Sequence, residues 1–296
     1  MADRVRILVT GGTGQVGLEL QSHDWPAGVE ILAPRREELD LGDEASVRRF
    51  FAENALGAVI NPAAYTQVDR AETEVAEAFR ANALAPALLA ELTAAAGIPL
   101  VHVSTDYVFD GTSERPYVES DATHPTNVYG ASKHAGELAV LSGNPRSVIV
   151  RTAWVFSRHR SNFVKTMMRL AASKPALSVV GDQHGCPTSA HDLAKALATI
   201  TLRHIDDAKA PTGIYNFVNQ GSTTWAGLAR EVMKNLPEGG VPVTDITTAD
   251  YPTPASRPAN SRLDTRKIGQ DFNITPRNWE QAVQETVAAL TQQGAD

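Results

Sequence analysis

The first half of the chain alternates between two kinds of segment. "RVRILVT", "GVEILAP", "GAVINPA", "IPLVHVS" and "SVIVRTAWVF" are short, β-rich apolar runs without sustained polar alternation. Strands buried on both faces of a parallel sheet have this character. Between them lie helical candidates at Gln15 to Ser22, Asp43 to Asn54, Ala71 to Ala96 and Tyr129 to Ser142. Asp43 stands where an amino cap belongs, and Gly97 followed by Pro99 closes the long third helix. Strands alternating with helices predict an α/β fold, a Rossmann-type doubly wound parallel sheet with right-handed crossovers.

Beyond Arg158 the pattern loosens. Helices are expected at Asn162–Ser173, Ala190–Leu202 and Thr224–Asn235, strands at Leu177–Val180 and Ile214–Val218, and a terminal helix from Trp279 to Gln292. Prolines between Pro237 and Pro258 predict an irregular surface segment. There is no internal repeat and no low-complexity tract. The division expected is a dinucleotide-binding domain over residues 1–158, carrying a Tyr–Lys helix. Residues 159–296 then form mainly a smaller carboxyl-terminal substrate-binding lobe, with some segments returning to the first domain.

Composition narrows the class of function. At 43% hydrophobic and 21% charged, the 296-residue chain is ordinary for a globular protein. No apolar run approaches the roughly 20 residues that cross a bilayer, and "MADRVRILVT" lacks the apolar stretch of a secretory signal. One cysteine, Cys186, excludes an internal disulfide framework and a multi-cysteine zinc site, and reads as a small packing residue. A soluble cytoplasmic protein is expected. The net charge of −7 argues against nucleic acid as a partner, yet local arginines and helix amino termini can still hold small anions.

Chemistry first appears in "LVTGGTGQVGLEL", after the first strand and at the start of the first helix. Gly11, Gly14 and Gly17 are spaced three apart, and Gly12, Gly14 and Gly17 satisfy G-x-G-x-x-G. Glycine serves where backbone turns tightly and a pyrophosphate must approach the amides. At the end of the second strand, "APRREELDL" presents Arg35 and Arg36 ahead of Glu37 and Glu38. Guanidinium groups there suit a 2′-phosphate, so NADPH is expected over NADH. The alternative leaves both arginines pointing into water. Asp40 and Leu41 are placed to flank the adenine.

In "NVYGASKHAGE" Tyr129 and Lys133 stand at i and i+4, on one helix face. A phenol with a pKa of about 10 is a poor acid–base group at neutral pH, and a neighbouring ammonium is expected to lower it. Gly130, Ala131 and Ser132 leave room for a nicotinamide. "VHVSTDYVFDG" brings Ser104, Thr105 and Asp106 to the carboxyl edge of the sheet, where ligands bind in open α/β folds. Thr105, with Ser104 next, is the hydroxyl expected to hold a carbonyl oxygen that Tyr129 protonates.

Glycine turn, strand-end hydroxyl and Tyr–Lys pair together resemble the extended short-chain dehydrogenase/reductase family. The finer likeness is to the dTDP-4-dehydrorhamnose reductase family. It is carried by "GGTGQVGLEL", "NPAAYTQVDRAE", "STDYVFDG", "NVYGASKHAGE", "RTAWVF", "NFVKTMMRLA", "DQHGCPTSAHDLA" and "RPANSRLDT". The resemblance implies hydride transfer to C4 of a 4-keto sugar nucleotide, giving dTDP-L-rhamnose. Thr105, Tyr129 and Lys133 would be catalytic. Gly14, Gln15 and Val16 would meet the pyrophosphate, and Ala63, Ala64 and Tyr65 would line the coenzyme. Val68, Thr105, Asp106, Tyr107 and Trp154 would contact the substrate, although Trp154 could equally be core.

Relatives of the same fold sharpen this expectation. A dehydratase would carry a second acidic residue after Asp106, where this chain has Tyr107. Epimerases, and a non-catalytic regulatory subunit like that of methionine adenosyltransferase, remain alternatives. Some members of the resembled family pair subunits through magnesium. Glu19 matches one such position, but His191 and Asp192 depart from the pattern, so both the Mg2+ and that dimer are in doubt. A monomer or homodimer is expected, and no metal residue is assigned. His102, His134, His184 and His191 lack metal-ligand spacing and are read as surface or core. Arg257 and Arg262 are candidates for the substrate diphosphate, with a structural pairing to Asp264 as the alternative.

Overall fold

The computed structural model describes residues 4–237 and 239–293. Its centre is a parallel sheet built from β1 (Val5–Val9), β2 (Val29–Leu32), β3 (Ala58–Asn61), β4 (Leu100–Thr105), β5 (Ser147–Thr152) and, from late in the chain, β10 (Gly213–Asn216). The spatial order is β10-β5-β4-β3-β1-β2. The chain therefore runs outward from β1 to β2 and then crosses back to β3, so the topology reverses between β1 and β3. In open parallel sheets the crevice at that reversal is where ligands lie.

The apolar runs become strands because helices cover both sheet faces. On one side α1 (Gln15–Gln21), α8 (Ala190–Asp206) and α10 (Arg266–Phe272) pack over Ile7, Val9, Ile60, Val101, Val148 and Val150. On the other, α2 (Glu44–Glu53), α5 (Ala85–Ala95) and α6 (Val128–Gly143) enclose Leu8, Val59, Leu100 and Ile149. Asp43 caps α2 as expected, its side chain accepting from Ala45 N–H. Asn127 does the same for α6 through Gly130 N–H, starting that helix one residue before Tyr129.

A second apolar cluster fills the carboxyl-terminal half. It joins α7 (Phe163–Ala171), α9 (Trp225–Lys234) and α11 (Trp279–Gln293) to the strand pair β7 (Leu177–Val180) and β12 (Val243–Ile246). Two-residue strands complete the topology: β6 (Val155–Phe156) pairs with β9 (Thr188–Ser189), and β8 (His184–Gly185) with β11 (Thr223–Thr224). Among the described residues no helix is long and apolar enough to cross a membrane.

Besides the two-residue strands β8, β9 and β11, three longer elements differ from the sequence expectation. The proline-rich segment is not wholly irregular, since it contains β12. The helix Arg266–Phe272 was not foreseen. The long helix expected over Ala71–Ala96 is instead α3 (Val68–Ala71), α4 (Val75–Phe79), a π-helical turn at Arg80–Leu84 and then α5. Pro86 explains the break. It has no N–H to offer the Asn82 carbonyl four residues back, and its ring crowds that oxygen. The wider turn leaves the Asn82 carbonyl against α6, where a Cβ added at Gly136 would lie 2.0 Å from it.

Gly136→Ala should therefore push α6 off the π turn and lower unfolding stability by about 1–3 kcal/mol, measured by urea denaturation. Leu138→Ala, two residues on but exposed, should change stability by less than about 0.5 kcal/mol.

Candidate active site

The glycine turn closes tightly at the β1/β3 reversal. Gly11 has φ +57°, in the left-handed region, and packs against Ala63, whose Cα lies 3.0 Å from where a Cβ would stand. A Cβ on Gly17 would lie 2.3 Å from the Gly11 carbonyl, so α1 can approach β1 only with glycine there. Gly14 N–H donates to Gly11 O at 2.8 Å. Gln15 follows at the start of α1, where Ser157 Oγ and Asn162 Nδ2 both donate to its Oε1. The side chain thus ties the turn to the second half of the chain. Val16 packs partly into the core.

Other residues expected at the coenzyme surround this turn. Ala63 and Ala64 follow β3, and Tyr65 is anchored by its N–H to Asn82 Oδ1 and its hydroxyl to Glu74. Arg35 and Arg36 are exposed beyond β2, Arg36 standing 3.5 Å from Asp40. Asp40 caps Gly42 N–H, and Leu41 packs against the core.

The catalytic candidates meet at the end of β4. Thr105 is the last residue of that strand, and its hydroxyl donates to Asp106 Oδ1 at 2.9 Å. Asp106 is 3% exposed, its Oδ2 has no partner, and burial raises its pKa to about 6 against hydrogen bonds from Ser261 and Thr105. Tyr107 packs edge-on to Tyr129 with ring centroids 5.5 Å apart. Lys133 is 1% exposed and donates to the Val103 carbonyl at 2.7 Å, with His102 Nε2 at 3.4 Å.

One expectation is corrected here. Lys133 does not draw the Tyr129 pKa down in this structure. Burial pushes Tyr129 up to about 12, with the nearby Thr105 hydroxyl acting the other way and the Asp106 charge adding to the rise. Sharing a helix face does not bring the two groups into contact, because the Lys133 amine is turned to the Val103 carbonyl. Burial also lowers Lys133 to about 8, partly offset by Glu137. The site thus holds a phenol that stays protonated at neutral pH beside an amine with a donor to spare.

Helix α6 is fixed by an ion pair beneath it. Arg151 on β5 grips Glu137 through both oxygens, at 2.8 and 2.7 Å, with its guanidinium 4.9 Å from the Phe109 ring centre. Both side chains are almost wholly buried. Burial pushes the Glu137 carboxyl up, but the Arg151 hydrogen bonds, with His134 3.5 Å away, outweigh it and hold the pKa at about 2.

Substrate-side candidates fall into two groups. Trp154, just past β5, has φ +48° and stacks on Trp225 at 3.7 Å; it is half-buried, combining packing with a partly open edge. Val68 begins α3 and is partly exposed. Arg257 pairs with Asp69 at 2.9 Å and not with Asp264, which pairs with Arg266. Arg262 is engaged by Asn260 and the Glu114 carbonyl. Cys186 is buried among Phe109, Tyr117, Val218 and Leu263.

Glu19 is buried and faces His159 and His191 at 3.4 Å and Arg158 at 3.8 Å. Among the described residues no group of three or more His, Cys, Asp or Glu is placed to share a metal ion. Sequence reading missed His102, Asp69 and Ser261 as neighbours of the site. The signal for His102 was present, a histidine inside a strand buried on both faces.

A glycine turn at the sheet's reversal, facing a strand-end threonine and a buried Tyr–Lys helix, defines an NAD(P)-dependent oxidoreductase of the short-chain dehydrogenase/reductase class. The model of the RmlD substrate binding domain matches residues 5–292, and the chain belongs to that family. It is 44% identical to a dTDP-4-dehydrorhamnose reductase of Sinorhizobium fredii, over 99% of this chain and 100% of the relative. The crystal structure of a dTDP-4-dehydrorhamnose reductase from Clostridium acetobutylicum superposes with TM-score 0.91 at 36% identity, covering 97% of this chain and 100% of that one. That of a Bacillus anthracis dTDP-4-dehydrorhamnose reductase in complex with NADP gives 0.90 at 32%, covering 97% and 99%.

The buried clamp gives a pH prediction. The folded pKa of Glu137 lies near 2, below its ordinary 4.5, so its stabilisation is complete above 4.5 and lost as pH falls towards 2. Glu137→Gln should cost on the order of 3–5 kcal/mol near pH 7 by leaving Arg151 unpaired. It should also flatten the loss of stability between pH 5 and about 2, read from urea denaturation across pH.

Proposed function

We propose that this protein reduces the C4 keto group of dTDP-4-dehydro-6-deoxy-L-mannose to a hydroxyl, giving dTDP-L-rhamnose, with NADPH, or NADH, as reductant. The observation that carries this reading is the convergence of the Thr105 hydroxyl, the protonated Tyr129 phenol and the Lys133 amine beside the glycine turn. The residues present fit a dinucleotide. Gly11 and Gly17 let the turn close against Ala63 and α1 approach β1, Arg35 and Arg36 are exposed for a 2′-phosphate, and Lys133 keeps a donor for a ribose hydroxyl. The bound coenzyme supplies hydride to C4.

The chain's own residues do the rest. Thr105, turning its hydroxyl proton from Asp106 to the carbonyl oxygen, fixes that oxygen, and Tyr129 delivers its proton to it as negative charge develops. An alkoxide is more basic than a phenolate, so a raised phenol pKa still allows the transfer. Lys133 orients the coenzyme ribose. Val68, Asp106, Tyr107 and Trp154 supply contacts to the sugar nucleotide, and Arg257, braced by Asp69, presents positive charge to its diphosphate. Asp106 is followed by Tyr107, so the pair of carboxylates that elimination needs is absent. The reaction takes place in the cytoplasm, on a small-molecule substrate.

Purified protein should consume NADPH only when the 4-keto sugar nucleotide is present, followed at the nicotinamide absorbance with the product sugar identified by NMR. Tyr129→Phe should lower kcat by roughly 100-fold or more; unchanged turnover would remove the proton-donor role. In Arg35→Ala/Arg36→Ala, preference for NADPH over NADH should fall about tenfold or more, measured as the ratio of kcat/KM values.

A further inference from the structure

Four buried polar side chains cross the sheet in a line beneath the glycine turn. Thr10 Oγ1 donates to Asn61 Oδ1 at 2.5 Å, Asn61 Nδ2 lies 3.0 Å from His102 Nδ1, and His102 Nε2 lies 3.4 Å from Lys133 Nζ. Thr10, Asn61, His102 and Lys133 are each no more than 1% exposed. They come from the residue after β1, from β3, from β4 and from α6, so no local motif explains them. An imidazole inside a strand packed on both faces is costly unless both ring nitrogens are satisfied.

Lys133 gives the line its meaning. An ammonium has three donors and no acceptor. Val103 O takes one, at 2.7 Å. We propose that His102 is a positioning residue for Lys133, taking a second ammonium proton on Nε2 so that the third is left aimed at the coenzyme ribose. This inference rests on the reductase reading of the site.

The proton inventory supports the assignment. For Nε2 to accept, the imidazole must be neutral with its proton on Nδ1, and Asn61 must offer its amide oxygen to that proton. The structure shows the Asn61 nitrogen facing Nδ1; a half-turn of the amide exchanges oxygen and nitrogen without moving other heavy atoms and reverses the Thr10 contact, so that Asn61 Nδ2 then donates to Thr10 Oγ1. In the other orientation Asn61 donates to Nδ1, Nε2 carries the proton, and the facing amine is neutral. The chain therefore satisfies Lys133 in either protonation state, and in both the imidazole stays uncharged. Burial and the Lys133 charge hold the His102 pKa well below its ordinary value, which agrees. The titratable and charged groups around Lys133 are His102 on β4, Tyr129 and Glu137 on its own helix, Arg151 on β5 behind Glu137, and Asp106 beyond Tyr129.

The test reads Lys133 directly. In coenzyme-free protein carrying 13C-labelled lysine, the ε-carbon of Lys133, assigned by its loss in Lys133→Arg, is titrated by NMR. His102→Leu removes an acceptor from the buried ammonium and should lower the Lys133 pKa by about one unit. His102→Gln, whose amide oxygen can accept, should restore it towards the wild-type value. Asn61→Leu leaves His102 in place without its Nδ1 partner and should shift the titration the same way by less, which keeps the test open should His102→Leu fail to fold. No movement in folded His102→Leu or in Asn61→Leu overturns the proposal. As a second readout, the alkaline limb of kcat should move to lower pH in His102→Leu, because the orienting donor is lost at lower pH. If wild-type protein reduces no 4-keto sugar nucleotide while the lysine titrations behave as stated, the reductase reading falls and the His102 assignment stands.

Discussion

Arg151 projects from β5 into a region closed to water, and the Glu137 carboxylate of α6 meets it with both oxygens. An arginine–carboxylate fork is directional as well as strong. Once it forms, α6 can neither roll nor slide on β5 without stranding a buried charge. Glu137 lies four residues after Lys133 and eight after Tyr129, so the three share one helix face. Fixing the carboxylate fixes the other two. Gly136, seated against the Asn82 carbonyl, lets the helix come close enough for the fork to close.

The same exclusion of water sets the chemistry. Burial keeps the Tyr129 proton on the phenol and lowers the Lys133 pKa to about 8, which leaves the amine mostly charged at neutral pH. The arrangement favours giving a proton over taking one, as reduction of a ketone requires. Thr105, held by Asp106 at the end of β4, adds a hydroxyl at the same buried edge of the sheet. Around Glu19 a different balance holds, since histidines and an arginine compensate a buried carboxylate.

Much of this was legible in the chain. The apolar runs showed a parallel sheet, the "TGGTGQVG" stretch showed the tight turn at its reversal, and the Tyr129–Lys133 spacing showed a shared face. What escaped depended on partners distant in sequence. The π turn at Arg80–Leu84 follows from Pro86 acting on Asn82, yet the apolar pattern on either side reads as one helix. The Tyr129 pKa was expected to fall because spacing reports a face and not a contact; the Val103 carbonyl claims the amine instead. Arg257 finds Asp69 across the fold, a pairing that proximity to Asp264 in sequence obscured. The Thr10–Asn61–His102 line joins the residue after β1 to β3 and β4 and has no signature in any one of them.

A crystal structure with oxidised coenzyme and the product sugar nucleotide tests the central claim most directly. The account predicts that the Tyr129 and Thr105 hydroxyls both lie within hydrogen-bond distance of the C4 oxygen, with Lys133 on a ribose hydroxyl and still on Val103 O. Finding Tyr129 or Lys133 turned away from the nicotinamide, with the Glu137–Arg151 fork intact, would contradict it.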